Sequence, residues 1–178
     1  MATVNLLPSG SVSNNWTTSA LGTAHNMMIQ DHTGDIATDT YYLQATSTGK
    51  IFELEFDDFT EDFSSIDSVQ AVVKAGDSSR GASFTLEMAI SNPSGTFWAA
   101  ESSGSQSASI GYRTLTFTSR TTSDGSSAWT NTDINNLRMK VELTAVSAGT
   151  VKATYCYFIV TYTEPVPADN AVFFGTNF

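Results

Sequence analysis

Cysteine and charged residues are both scarce in this sequence of 178 residues. The one cysteine, Cys156, cannot form an intrachain disulfide, so the fold cannot depend on oxidation. Charged residues make up 15% of the chain, below the roughly 25% of an average domain. The polar surface must therefore come from hydroxyls and amides, and 25 threonines and 23 serines supply most of them. Threonine favours strands and serine disfavours helices, so the composition predicts an all-β fold.

Basic residues are the rarer charged class, with eight Lys and Arg against 18 Asp and Glu. The formal net charge is −10 and the sequence pI is near 4.3. A nucleic-acid partner is not expected, because a phosphate backbone needs a basic footprint. Adherence to an anionic membrane is disfavoured for the same reason.

Long apolar runs are missing as well. No segment approaches the roughly 20 apolar residues of a membrane span. The opening MATVNLLPSG has neither the cationic region nor the apolar region of a signal peptide. We therefore expect a protein that is made in a host cytoplasm and released by lysis. The hydrophobic fraction of 40% is enough for one core, and a chain of this length fits one domain.

Alternating apolar and polar residues predict several strands. In residues 137–143 the apolar side chains share one face, while Arg138, Lys140 and Glu142 share the other. Further strands are predicted at residues 51–56, 69–74, 84–90 and 112–118.

Residues 151–163 (VKATYCYFIVTYT) differ from the other strands because they are apolar or aromatic on both faces. Such a strand is central or covered on each side, and a partner chain is one possible cover. The short connection AVSAG to the preceding strand predicts an antiparallel hairpin. Together these patterns predict an antiparallel, jelly-roll-like β-sandwich of about eight strands.

Helix is expected only as one or two short turns. One is predicted after Trp129, running through Asn136 and capped by Thr132. The other is predicted within residues 58–68, where Phe59, Phe63 and Ile66 have helical spacing.

The two ends of the chain differ from its middle, and we expect residues 1–14 to be an N-terminal arm. Residues 15–164 form the predicted sandwich domain. Residues 165–178 follow the end of the last strand as a docking tail, because exposed aromatic clusters mark contact surfaces. The residues expected at a protein interface are Leu6, Leu7, Val172, Phe173, Phe174 and Phe178.

No catalytic or metal-binding motif is found. His25 and His32 are seven residues apart with Asp31 adjacent, a spacing that matches no compact zinc motif. The acidic stretch 57–62 lacks the alternate ligand positions and turn glycine of a calcium loop. Neither a G-x-S-x-G elbow nor a nucleotide-binding glycine loop is present. We expect no enzyme activity and no cofactor, although carboxylate pairs for glycoside hydrolysis can be assembled in space without a sequence motif.

Three tryptophans are candidates either for stacking on sugars or for closing the sandwich. Trp98, beside Phe97 in a loop of small polar residues, is a candidate glycan contact. For Trp129 the favoured role is to plug one end of the core, and Trp16 has the same two alternatives.

The segment from Trp129 to Leu143, followed by VKATYCYFIVTYTE, resembles the closing part of small β-sandwich proteins encoded by tailed bacteriophages. A Trp-Thr pair, an Asp-containing turn, a Leu-Arg strand and a final aromatic strand ending in Val-x-Tyr recur in them. The early Trp16 in a Ser/Asn-rich loop is also similar. These motifs cover about a fifth of the chain.

The resemblance implies a structural virion protein of the capsid-decoration (cement), head-fibre or tail-accessory type. We expect a decoration protein on the outer capsid surface that stabilises the head. Its partners would be the major capsid protein and copies of itself, as a dimer or trimer. The alternative is a carbohydrate-binding tail-fibre or adhesin module that holds host glycans.

Overall fold

The computed structural model describes residues 1–19, 24, 28–29, 40–78, 82–95, 98–107 and 111–166. The regular secondary structure of this part of the chain is almost entirely antiparallel strand. The strands are β1 (Ala2–Leu6), β2 (Pro8–Asn14), β3 (Thr17–Thr18), β4 (Leu43–Ala45), β5 (Lys50–Phe56), β6 (Ser65–Asp77), β7 (Ser83–Ser91), β8 (Glu101–Ser102), β9 (Gln106–Ser107), β10 (Arg113–Thr116), β11 (Arg138–Val146) and β12 (Val151–Thr163). A single helix of five residues, α1 (Asn131–Asn135), lies between β10 and β11 in the described part.

The strands form two six-stranded sheets. Sheet I has the order β10-β6-β12-β4-β3, with β1 also paired to β12, and sheet II has the order β2-β5-β11-β7-β8, with β9 also paired to β7. The predicted antiparallel β-sandwich is therefore confirmed. The strand count exceeds the expected eight because β3, β4, β8 and β9 are pieces of two or three residues.

The core lies between the sheets and is built by the alternation seen in the sequence. One residue in two points inward along each long strand, so each strand supplies a row of apolar side chains. The inward rows of sheet II are confirmed as predicted, and the fully or nearly fully buried side chains include Phe52, Leu54, Phe56, Phe84, Leu86, Met88, Ile90, Met139, Val141 and Leu143.

The predicted hairpin between the last two strands is wrong. Strand β11 pairs with β5 and β7 in sheet II, so both of its edges are already occupied. Residues 147–150, with Gly149 at φ +83°, carry the chain across the sandwich to β12 in sheet I. A short connection thus joins two strands that face each other through the core instead of pairing side by side.

The first fourteen residues form two strands instead of the expected arm. Strand β1 pairs with β12 in sheet I, and β2 pairs with β5 in sheet II. Leu7 is the one residue between them, so the chain changes sheets at the Leu7–Pro8 step. Proline fits there because β2 is an edge strand, where a missing N–H costs no ladder hydrogen bond.

Helix α1 confirms one of the two expected turns but not its cap. The N-cap is Thr130, whose hydroxyl accepts a hydrogen bond from the Asp133 amide, while the Asp133 carboxylate accepts one from the Thr130 amide. The second expected turn is absent from residues 57–64, which are described and contain no helix. There Phe59 is buried against Phe63 and Tyr162, with ring centroids 5.5 and 5.3 Å away.

Replacing Phe158 by alanine tests the core. Phe158 is fully buried in β12, and its ring lies 4.5 Å from that of Phe56 across the two sheets. We expect Phe158→Ala to lower the free energy of unfolding by about 3–5 kcal/mol, measured by urea denaturation. Thr161→Ala, on the outward side of the same strand, should change it by less than about 0.5 kcal/mol. Equal effects of the two variants would contradict the assignment of inward and outward faces.

Candidate binding face

The outer face of sheet II is charged. Its three central rows carry Arg138 opposite Glu55, Lys140 opposite Glu53, and Glu142 opposite Glu87. Arg138 Nη2 lies 2.9 Å from Glu55 Oε1, an ion pair at the surface. A face with this many ions is an ordinary solvated surface.

The outer face of sheet I has a different composition. The strand registers place its outward residues in five rows across the sheet. From one end to the other these rows are Gln44–Lys152–Gly76, Tyr155–Lys74–Thr114, Tyr157–Val72–Thr116, Asn5–Ile159–Gln70 and Thr3–Thr161–Ser68. Two lysines lie in these rows. A carboxylate, Asp67, lies beyond the last row in the β6 bulge, where it accepts hydrogen bonds from the Ser65 and Thr163 hydroxyls at 2.9 and 2.8 Å.

An apolar stripe runs through the middle of this face. It consists of Tyr155, Tyr157 and Ile159 on β12 together with Val72 on β6. The two tyrosine rings contact each other, with centroids 5.0 Å apart and planes tilted by 42°. Val72 is only 1% exposed, although it points away from the core, and the other three are half-buried. The stripe is therefore a partly formed apolar layer on the outside of the sandwich.

Polar residues without negative charge surround the stripe. Thr114 and Thr116 flank it on one side, and Thr3 and Asn5 on the other; all four side chains are exposed. Lys152 is mostly buried, and its ammonium lies 3.9 Å from the centroid of the Tyr42 ring, a cation–π contact. An apolar centre with a polar rim, enriched in tyrosine, is the usual anatomy of a protein–protein contact.

Trp98, the candidate glycan contact, is held by contacts within the chain. Its indole N–H donates to the Ser123 carbonyl at 2.8 Å, the Arg120 guanidinium lies 4.9 Å from its ring centroid, and the ring edge packs beside Gly125. Arg120 also pairs with Glu101 at 3.3 Å. Trp98 thus helps to join the adjacent edges of the two sheets. Phe97 lies outside the described residues.

The other two tryptophans are buried core residues. Trp129 is 6% exposed and donates its indole N–H to the Arg120 carbonyl at 2.8 Å. This position matches the expected plug at one end of the sandwich. Trp16 packs edge-on against Phe52, with ring centroids 5.2 Å apart.

The expected interface residues at the two ends are not brought together in the described structure. Leu6 is 4% exposed and belongs to the core, so it is not available to a partner, and Leu7 is half-buried. Leu6 is buried, and not at an interface as expected, because β1 is an integral strand of sheet I. Val172, Phe173, Phe174 and Phe178 lie outside the described residues, as do most residues of the tail.

The positions considered for metal or acid–base chemistry form no described site. His25, Asp31 and His32 lie outside the described residues. Asp57, Asp58, Glu61 and Asp62 are exposed along the segment between β5 and β6. Across the ranges that the structure describes, no three His, Cys, Asp or Glu side chains lie close enough to hold a metal ion. Those ranges also contain no helix long and apolar enough to span a membrane.

The sequence reasoning identified no residue of the apolar stripe as a site residue. The signal was present in the two-sided apolar pattern of residues 151–163, which predicted a cover on each face of that strand. The rows could not be assigned, because two register shifts in the β12–β6 pairing, at residues 153–155 and 161–162, decide which side chains face outward.

No family model and no curated protein matches the chain. Three solved structures share a similar arrangement at TM-scores below 0.5. One is the CBM36-1 domain of a multidomain xylanase from the hindgut metagenome of Trinervitermes trinervoides, with 10% identity and a TM-score of 0.41 over 92% of this chain and 100% of that one. Another is the xylan-binding module CBM15, with 16% identity and a TM-score of 0.42 over 92% of this chain and 100% of that one. The third is a chain of infectious bursal disease virus Gt strain, with 9% identity and a TM-score of 0.37 over 90% of this chain and 33% of that one. These similarities assign the chain neither a family nor a ligand.

Cys156 provides a test of the inward face of β12. Its side chain is fully buried, and desolvation raises the pKa of the thiol far above its usual value. Because only the thiolate reacts, native protein should resist iodoacetamide at mildly alkaline pH and react readily in concentrated guanidinium chloride. Rapid modification of the native chain, measured by mass spectrometry, would show that this side of β12 is accessible.

Proposed function

We propose that the chain is a non-enzymatic structural protein of a tailed-phage virion, a decoration protein that binds the outer capsid through the outer face of sheet I. The observation that carries the proposal is the apolar stripe of Tyr155, Tyr157, Ile159 and Val72 on a face with few charges. In an acidic protein whose other sheet is covered with ions, such an apolar face indicates a contact surface for a partner.

The size of the face indicates how such binding works. Five rows along β12 and four neighbouring strands cover about 600 Å², taking about 3.4 Å per residue and about 4.8 Å per strand. A typical stable interface buries about 800 Å² per partner. A single contact is therefore modest. Many copies on one particle, or additional contacts from the terminal residues, provide the remaining stabilisation.

Charge sets the orientation of the bound chain. The net charge of −10 repels an acidic partner surface, and this repulsion is weaker at the outer face of sheet I, where Lys74 lies beside the stripe and the Asp67 carboxylate lies only at one end. Like-charge repulsion therefore favours an approach to an acidic surface through this face. The face is large enough for one partner, so the major capsid protein and a second copy of the chain would compete for it.

The carbohydrate-binding alternative is favoured by one specific observation, the adjacent rings of Tyr155 and Tyr157 among hydroxyl and amide side chains. Two details weigh against it at this face. The rings are tilted against each other, which leaves less of each face open for a sugar. The Gln70 amide already donates to the Phe117 carbonyl at 2.9 Å. Aliphatic Ile159 and Val72 complete a surface that suits protein side chains better than hydroxyls.

A matched pair of isoleucine variants tests the proposal. Ile159 lies in the stripe, and Ile51 is an equally half-buried isoleucine on the outer face of sheet II. Particles of the phage that encodes the chain, prepared without it, are mixed with purified protein and sedimented. We expect Ile159→Arg to weaken binding at least about tenfold, because a buried charge costs more than 1.4 kcal/mol at an interface centre. Ile51→Arg should bind like the unmodified chain.

A second variant distinguishes a loss of binding from a folding defect. Thr116 is exposed beside Val72, so Thr116→Arg blocks the face without removing packed atoms. It should also prevent binding, and bound unmodified chain should raise the temperature at which the particles release DNA. If both variants sediment with the particles as the unmodified chain does, the proposal is wrong. Binding of a glycan array that is lost in Ile159→Arg, with no binding to particles, would establish the alternative.

A further inference from the structure

A polar recess lies at the end of the sandwich beside α1, on the sheet II side. It has a volume of about 310 Å³, at the lower end of the range of about 300–1,000 Å³ that holds small molecules. We call it the end recess. It is lined by the side chains of Ser9, Glu55, Asp58, Asn135, Asn136 and Arg138, among others. A second hollow of about 290 Å³ shares Pro93 and Asn136 with it in its lining.

Two buried polar atoms near the recess have no partner in the protein. Ser91, Arg138 and Glu55 form one row across three strands of sheet II. The Ser91 hydroxyl is in a residue only 3% exposed and makes no hydrogen bond, and Arg138 Nε is likewise buried and unbonded. Ser91 lines a separate small cavity, whose lining shares Leu137 with the recess, whereas Arg138 lines the recess itself. Buried polar atoms normally have partners, so the unbonded Arg138 Nε indicates a site for a polar molecule in the recess.

The walls of the recess are fixed before any ligand binds. The capping box of Thr130 and Asp133 holds the start of α1, and the Asn135 side-chain oxygen accepts a hydrogen bond from the Phe59 amide at 2.8 Å. Beside Pro93, in the second hollow, the Asn92 side chain accepts a hydrogen bond from the Ser94 amide at 2.9 Å and closes a tight turn. Rigid walls lower the ordering cost of binding.

The lining chemistry selects the ligand class. An anion is disfavoured because Glu55 and Asp58 repel it. Arg138 is the one cation in the lining, and it is already paired with Glu55. No cluster of three metal-ligating side chains exists among the residues described around the recess. The lining is predominantly polar, so an apolar ligand has little surface to bury.

We infer that the end recess binds a neutral, hydroxyl-rich small molecule such as a mono- or disaccharide. Carboxylate, amide and guanidinium groups each offer two adjacent hydrogen-bonding positions, which match the neighbouring hydroxyls of a sugar ring. The site is separate from the outer face of sheet I, and its existence does not depend on the capsid-binding proposal.

Titration of the ¹⁵N-labelled full chain with sugars tests the inference. The probes are glucose, galactose, mannose, N-acetylglucosamine and, as the charged comparison, glucuronate. We expect at least one neutral sugar to cause saturable amide shifts at Ser94, Asn136 and Arg138, with a Kd on the order of 1 mM. Glucuronate should bind more weakly than glucose because of Glu55 and Asp58.

Three variants connect the shifts to the recess. Ser9 is exposed at its rim, so Ser9→Trp fills the space and should abolish the shifts. Arg138→Met should weaken binding at least tenfold. Lys140→Met, two residues further along the same face of β11 and outside the recess, should bind normally, and the same spectra report whether each variant is folded. Absence of saturable shifts with every neutral sugar, or shifts unchanged in both Ser9→Trp and Arg138→Met, would overturn the inference.

Discussion

Strand β12 occupies the centre of sheet I and must be covered on both of its faces. Its inward side chains, including Cys156, Phe158 and Val160, pack against sheet II and are fully buried. Its outward side chains, Tyr155, Tyr157 and Ile159, begin a second apolar layer that the described part of the chain leaves half-buried. Burial of apolar surface is the main favourable term in folding and in association, so the same strand directs both.

The distribution of charge follows from this requirement. Sheet II alternates apolar residues inward with Glu, Lys and Arg outward, and the ions keep that face in water. Sheet I instead places mainly threonine, serine, asparagine and glutamine around its stripe, together with Lys74 and, at one end, Asp67. Hydroxyl and amide side chains are released from water at a smaller cost than carboxylates are, so covering this face desolvates few charges. The high Thr and Ser content thus contributes directly to the proposed contact as well as to the strand propensity.

Alternation predicted the fold class and the inward rows of sheet II, because a residue spacing of two is a local property that the sequence displays directly. Which strands pair with one another was harder to predict from the sequence. The link of residues 147–150 is short enough for a hairpin, and only the pairing of β5 and β7 with β11 excludes one. Residues 1–14 were expected to be an arm because the first ten or so are short on charge and contain Pro8, yet their backbone completes both sheets.

The candidate sites were harder to predict than the fold. The two-sided pattern of residues 151–163 predicted a cover, but Val72 and the flanking threonines belong to other strands and join the stripe only through the sheet register. Trp98 attracted attention as an aromatic residue in a polar loop, and its contacts with Arg120 and Ser123 are visible only in three dimensions. The end recess collects residues from β2, β5, α1 and β11, which no spacing in the sequence connects.

Hydroxyl-radical footprinting of the chain, free and bound to particles, tests the central claim most directly. Mass spectrometry then compares oxidation of Tyr157 and Ile159 with that of Ile51 on the opposite sheet. The account predicts strong protection of Tyr157 and Ile159 on binding and unchanged oxidation of Ile51. Protection of Ile51 with Tyr157 and Ile159 still oxidised would contradict it, because the charged sheet would then be the one that a partner covers.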